Sequence, residues 1–490
     1  MTMIRSLLLA TVLIVPDLAA ARPLSDGQRK AILADVDARA PALATTAKAI
    51  WDFAEVGFQE TRSSGLLQGE LQKAGFTVKA GVAGMPTAFV ASFRNGKGPV
   101  IAVLAEFDAL PGLAQEATPE RAPITGKAAG HGCGHNIFGA ASITAAMAIK
   151  DWMVANKVQG EIRVYGTPAE EGGSGKVYMV RAGLFDDVDA VLHWHPGDEN
   201  GIAVGKSQAN ISGKFRFYGL AAHASAAPDK GRSALDGVEV MDVAVNFLRE
   251  HVPMGTRIHY IITNGGQAPN VVPDFAESYY YVRNTDPATV RSVMERVQKA
   301  AEGAALATGT TVKFEATGGV YSMLASRTLA SVMQRNLLAV GGEAWTPQEV
   351  QWAAALQKTL QTQKPLSDVA KIEPIQGDDS GGSTDVSDIS WVVPTIGMNA
   401  ATWVPGTPAH SWQAVAASGA SIGAKGGVVA AKTIALTAAD LFENPQVLVA
   451  AKKELLAARG PDFKYKAMLG DRAPALDYRK AAGGGGNVAP

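Results

Sequence analysis

An alternation of strand-like and helix-like runs, broken once by a change of rhythm and then resumed, constrains this chain more than any other feature. Strand-like runs at 87–93 and 100–105 lead to a long helical pattern at 137–154, a strand at 161–165, a helix at 175–182 and a strand at 190–194. Strands and helices at this spacing predict an α/β layer with a mostly parallel sheet, which places ligands beyond the carboxyl ends of its strands. Helical patterns at 25–55, opened by the N-cap Ser25, and at 61–74 precede it. From about Ile211 the rhythm changes. Strands at 214–218, 258–263, 276–283 and 311–315, with helices at 233–251 and 287–306, predict an inserted α+β unit of two helices on a four-stranded antiparallel sheet. After Ser326 the first rhythm returns at 328–340, 394–398 and 421–441. The expected organisation is one discontinuous domain, 25–208 and 323–460, interrupted by a smaller domain at 209–322. Residues 342–382, polar and rich in Gln and Gly, are expected as a surface excursion, and 461–490 as a flexible C-terminal tail.

Composition excludes several function classes. At 490 residues and 47% hydrophobic content the chain has material for two or three globular domains. Lys plus Arg (45) nearly balances Asp plus Glu (46), so there is no basic field for nucleic acid. Partners are expected to be small molecules or other protein subunits. The single cysteine, Cys133, excludes any intramolecular disulfide. Residues 1–21 read as an export signal: Arg5, a short apolar run at 7–15, and Ala19-Ala20-Ala21 as a cleavage site. That run is too short to span a bilayer, and no other window reads as long and apolar enough, so a periplasmic or secreted chain without a membrane span is expected.

Eight histidines make the clusters among them informative. His131-Gly132-Cys133-Gly134-His135 brings a thiol and two imidazoles together between glycines that let the backbone turn, a pattern suited to zinc and its neighbours. A chance glycine loop or a redox centre is the alternative, the latter weakened by the lack of a second cysteine. Thr167-Pro168-Ala169-Glu170-Glu171-Gly172-Gly173 follows a predicted strand. Two adjacent carboxylates there are either a solvated pair or a ligand beside a general base, balanced by a cation. His193-Trp194-His195-Pro196 follows another strand, and either histidine could instead be a satisfied core residue. Asp108, after the strand at 100–105, is placed to orient a ligand. Three strands delivering such residues at their carboxyl ends point to a metal centre. Gly172-Gly173-Ser174-Gly175 is not the G-x-S-x-G elbow of serine hydrolases, and there is no Walker phosphate loop.

At these residues the sequence resembles the aminoacylase-type metallo-amidohydrolases, a family that includes hippurate hydrolase, indole-acetyl-amino-acid hydrolases and, most similar here, p-aminobenzoyl-glutamate hydrolase. The likeness runs from about residue 30 to about 445 through 105–113, 131–139, 168–180, 185–196, 219–235 and 406–412. It implies a site for two divalent metal ions, Zn or Mn, with Cys133, His135, Glu171, His195 and His410 as ligands and Glu170 as general base. It implies that the inserted unit is a lid and dimerisation domain, with His223 acting on the substrate carbonyl or carboxylate, in some relatives across the dimer. Asn270 and Arg283 match residues near the substrate. A homodimer through the lid, or pairing with a homologous partner protein, is implied as well. His131 and His193 receive no role. The leader and the loops at 342–382 depart from the family's pattern. The activity implied is hydrolysis of an N-acyl or N-aroyl amino acid amide. A dipeptidase-type metallopeptidase and a non-catalytic binding protein on the same fold are the rivals.

Overall fold

The computed structural model describes residues 24–479, so the export signal expected at 1–21 and the glycines at 483–486 lie outside the described residues. The first helix, Asp26–Phe53, starts where the sequence signals it: Ser25 Oγ accepts from Gln28 N at 3.2 Å and Gln28 Oε1 accepts from Ser25 N at 2.9 Å. Such a reciprocal cap is worth about 1 kcal/mol.

A six-stranded sheet forms the larger layer, in the spatial order Thr77–Ala80, Phe89–Asn95, Gly160–Gly166, Val100–Ala105, Ala190–Gly197 and Thr395–Ala401. The last four of these run parallel, and the first two form an antiparallel edge. Val100–Ala105 is buried along its whole length, which explains why it reads as an unbroken apolar run rather than an alternation. Helices Asp26–Phe53, His135–Asn156 and Ser421–Glu443 pack on one another and complete the main core.

The inserted unit is a four-stranded antiparallel sheet in the order Thr311–Val320, Ala209–Tyr218, Phe275–Asn284 and Arg257–Asn264. Helices Ala234–Leu248 and Pro287–Thr308 bury Val238, Met241, Val290 and Val297 against Phe215, Phe217 and Tyr280, a core separate from the first. The fold is α/β with an α+β insertion.

Three expectations are corrected. Residues 342–382 are not merely a surface excursion: helix Pro347–Gln357 buries Ala353 and Leu356 with Trp403 in a small core, and Gln376, Asp379 and Gly382 bond the backbone of Val204, Lys206 and Gln208. Residues 461–479 are not a loose tail, since Ala467, Met468 and Leu469 are buried and join the two larger cores. Two helices, His135–Asn156 and Ser421–Glu443, do have the length and hydropathy of a span, but 78% of each window is buried inside the protein, as in core helices. Uniform apolarity on all sides of a helix serves a protein core as well as a bilayer.

Candidate metal centre

The carboxyl ends of the parallel strands converge as expected. Val100–Ala105 delivers Glu106 and Asp108, Gly160–Gly166 delivers Glu170 and Glu171, and Ala190–Gly197 carries His195. Cys133 precedes helix His135–Asn156, held there by Gly134 at φ +74°, where a Cβ would stand 2.6 Å from Pro196 Cβ. His410 comes from the C-terminal part of the chain, its N–H donating to Gly132 O at 2.9 Å. Cys133, Glu170, Glu171, His195 and His410 line one cavity of about 590 Å³, together with Arg283 from the lid sheet.

Three donor groups fall within 4.8 Å of one another: Cys133, His135 and His195; Cys133, Glu171 and His410; and His135, Glu170 and Glu171. Cys133 Sγ and His195 Nε2 are 3.5 Å apart. Two ligands at about 2.3 and 2.0 Å from a tetrahedral ion would stand about 3.5 Å apart. Buried polar atoms are left over as well. His135 Nε2, Glu106 Oε2 and Glu171 Oε1 lack a well-aligned hydrogen bond, although Glu106 Oε2 is 3.1 Å from that nitrogen and His410 Nε2 is 3.4 Å from Glu171 Oε1. Orphaned buried atoms cost about 1–3 kcal/mol each unless something satisfies them. The mixed sulfur, nitrogen and oxygen donors fit divalent metal ions.

The electrostatics agree. Burial pushes the Cys133 thiol up, but His195 and His135 outweigh it and bring it down to about 6. His410 is raised to about 10 by its bonds to Cys133 and Glu171. Glu170 is held well above the carboxylate range by burial and by Glu106, Glu171 and Asp385. A cation among these carboxyls would favour its ionised form. Asp108 orients the cluster: its Oδ1 lies 3.0 Å from His135 Nδ1, and its Oδ2 accepts from Glu171 N at 2.9 Å.

Four further residues escaped the sequence reading. Lys176, fully buried, places Nζ 2.7 Å from both Glu106 and Asp385. Glu60, also buried, accepts from Ala169 N and Thr87 Oγ1, each at 2.9 Å, and is raised to about 8 by burial and by Asp108. Glu106 follows a strand and was open to the same strand-end argument as Asp108. Nothing local marks Lys176, Asp385 or Glu60. Ala169, Ser174 and His410 adopt φ of +58°, +57° and +59° although none is glycine. Such strain persists where the surroundings over-determine the backbone, as at functional sites.

The structure separates the remaining candidates. His223 and Asn270 do not line the cavity. They are neighbours on the exposed lid, where Ala224 N–H donates to Asn270 O at 3.0 Å and His223 pairs with Val271. One chain therefore does not bring them to the metal donors. His131 is a core residue, its Nε2 3.1 Å from Ile50 O. His193 does line the cavity, and its ring fits only because position 397 is glycine, where a Cβ would stand 2.3 Å from the imidazole.

The fold and this donor set define a metallohydrolase-like site. The chain belongs to peptidase family M20/M25/M40, whose family model matches residues 102–414. It is 42% identical over 433 residues to the B subunit of p-aminobenzoyl-glutamate hydrolase from Escherichia coli (strain K12), covering 83% of this chain and 90% of that one. It is 30% identical over 434 residues to Xaa-Arg dipeptidase of Mus musculus (86% and 90% covered), and 27% identical over 356 residues to the A subunit of the same E. coli hydrolase (63% and 81%). Among solved structures, a dinuclear metal-binding M20 peptidase from Bacillus subtilis shares the fold, with TM-score 0.57, 18% identity, and 85% and 99% coverage. The chain is thus a hydrolase of the M20 family.

Proposed function

We propose that this chain hydrolyses the amide bond of an N-acyl or N-aroyl amino acid, with p-aminobenzoyl-glutamate as the favoured substrate type. The observation that carries the reading is the convergence of four metal-type donors, Glu170 and a lid guanidinium on one cavity, with the fully buried His135 within 4.8 Å of donors in that set. Cys133, His135, Glu171, His195 and His410 would hold two divalent ions, zinc or manganese. Bound there, the ions would polarise the amide carbonyl and make water a stronger acid. Glu170 takes the proton from that water and passes it to the leaving amine. Arg283, with no carboxylate partner among the described residues and a buried Nε lacking a bond, binds the carboxylate of the amino-acid half.

His223 and Asn270 meet the substrate from a second copy of the chain. Support comes from the lid: Arg257–Asn264 is an edge strand, paired on one side only, that exposes Ile261 (61%), and helix Ala234–Leu248 exposes Phe247 (66%) and Val243 (54%). An open edge beside exposed apolar side chains is a pairing surface. The likeness to both halves of the E. coli enzyme makes a homologous partner the alternative to a homodimer. We also take residues 1–21 as a cleaved signal, so that the mature protein is periplasmic or secreted; an N-terminus near Arg22 in exported protein checks this.

Assays of zinc- or manganese-loaded protein on p-aminobenzoyl-glutamate, hippurate, an indole-acetyl-amino acid and Xaa-Arg dipeptides test the function. Preference for the dipeptides would replace the reading with the dipeptidase one, which the mouse relative favours. No turnover of any of them would leave a binding protein.

A further inference from the structure

We infer that Tyr478 and Arg479, at the end of a C-terminal strap, are positioning residues of the metal centre and act through the backbone carbonyl of Glu171. Tyr478 Oη donates to Glu171 O at 3.0 Å and an Arg479 guanidinium nitrogen donates to the same oxygen at 2.8 Å. On the other side of the same residue, Glu171 N donates to Asp108. The ligand residue is therefore pinned at both its N–H and its C=O, inside a turn whose flanking Ala169 and Ser174 hold left-handed φ.

The strap is built to reach that carbonyl. After helix Pro445–Arg459 it crosses the junction of the two units, with Met468 in the lid core and Leu469 in the main core. Arg181 donates to Gly470 O at 2.8 Å, Arg472 bonds Ala316 O on the lid sheet, and Gln59 donates to Leu476 O at 2.7 Å. Tyr478 then packs edge-on against Phe58, ring centroids 5.7 Å apart. Room for its hydroxyl requires Gly57, where a Cβ would lie 2.3 Å from Tyr478 Oη and 2.9 Å from Ala169 Cβ. A segment that merely covered the surface would need neither the glycine nor two donors on one oxygen.

Groups that orient ligands from behind change metal affinity by roughly 10- to 100-fold when removed. Tyr478→Phe, Arg479→Gln and the double variant are to be loaded with Co(II), and read by chelator competition and by the visible ligand-field spectrum. The double variant is expected to bind metal 10- to 100-fold more weakly, with an altered spectrum, and Arg479→Lys to recover part of both. Arg181→Ala, which loosens the strap upstream, controls for stability: it should lower the melting temperature and leave the spectrum unchanged. Wild-type affinity and spectrum in the double variant would overturn the inference, as would an equal spectral change in Arg181→Ala. The inference rests on the metal centre proposed above. A wild-type chain that binds the metals yet hydrolyses no N-acyl amino acid would sink the substrate reading and leave this result standing.

Discussion

The metal-donor region and the lid are incomplete in opposite ways. Around Glu106, Asp108, Glu171 and Asp385 the protein buries carboxyls beyond what Lys176 balances, and leaves polar atoms without partners. The lid shows little of that; its unfinished surface is apolar and exposed at Val243, Phe247 and Ile261. On the function proposed above, a cation would complete the first region and another protein surface the second. The contrast teaches that a missing ligand is read from buried charge, and a missing protein partner from exposed hydrocarbon.

Perturbing each region in the other's terms tests the contrast. The largest effect is expected from Glu170→Gln, which should lower kcat by about 10²- to 10⁴-fold while metal content by elemental analysis stays near wild type. Near-normal turnover would remove Glu170 from its role. Lys176→Met, which strands Glu106 and Asp385, should destabilise the chain by about 3–5 kcal/mol in denaturant unfolding, since removing one partner leaves buried charge uncompensated. A wild-type midpoint would show that this region tolerates charge like a surface.

On the lid, Phe247→Glu should shift the sedimenting species toward monomer while leaving metal content unchanged. Mixing His223→Ala with Glu170→Gln protein under conditions that let protomers exchange should restore part of the activity that each lacks; no recovery argues against a site shared between chains. A pH effect is expected at Glu60. Its raised pKa of about 8, against about 4.3 unfolded, means the folded state binds the proton more tightly. That contribution is full below about pH 4.3 and is lost as pH rises through about 8, so Glu60→Gln should flatten the decline. Parallel pH–stability curves for the two proteins would exclude Glu60 as its source.

Much of the frame was legible because periodicity is a local property. The run at 100–105 and the N-cap at Ser25 appear where the sequence puts them, and the clusters at 131–135 and 167–173 are dense enough in ligand types to stand out. What escaped depends on distant contacts. Lys176 follows a glycine turn like any surface lysine, and only its distant partners, Glu106 and Asp385, the latter 209 residues away, show it to be a buried cation. Strand Thr77–Ala80 is a short, mostly exposed edge without an alternating pattern. Tyr478 and Arg479 sit in a stretch with no periodicity, so nothing local distinguished a strap from a tail. His223 was placed by motif, whereas its distance from the metal donors is a fact of chain topology.

The position of the last central strand has a consequence for synthesis. Thr395–Ala401 pairs with Ala190–Gly197, setting Gly397 beside His193, and His410 follows it. Once residue 320 has left the ribosome, all four lid strands and their two helices have emerged, with most of the residues that form the lid core. The larger sheet must wait, with Val191 and Leu192 lacking their neighbour and the Glu170–Glu171 turn lacking its strap, until almost the entire chain has emerged. The nascent chain therefore carries an unfinished, acid-rich cleft through most of its translation, and a metal ion arriving early would meet fewer than its full set of ligands.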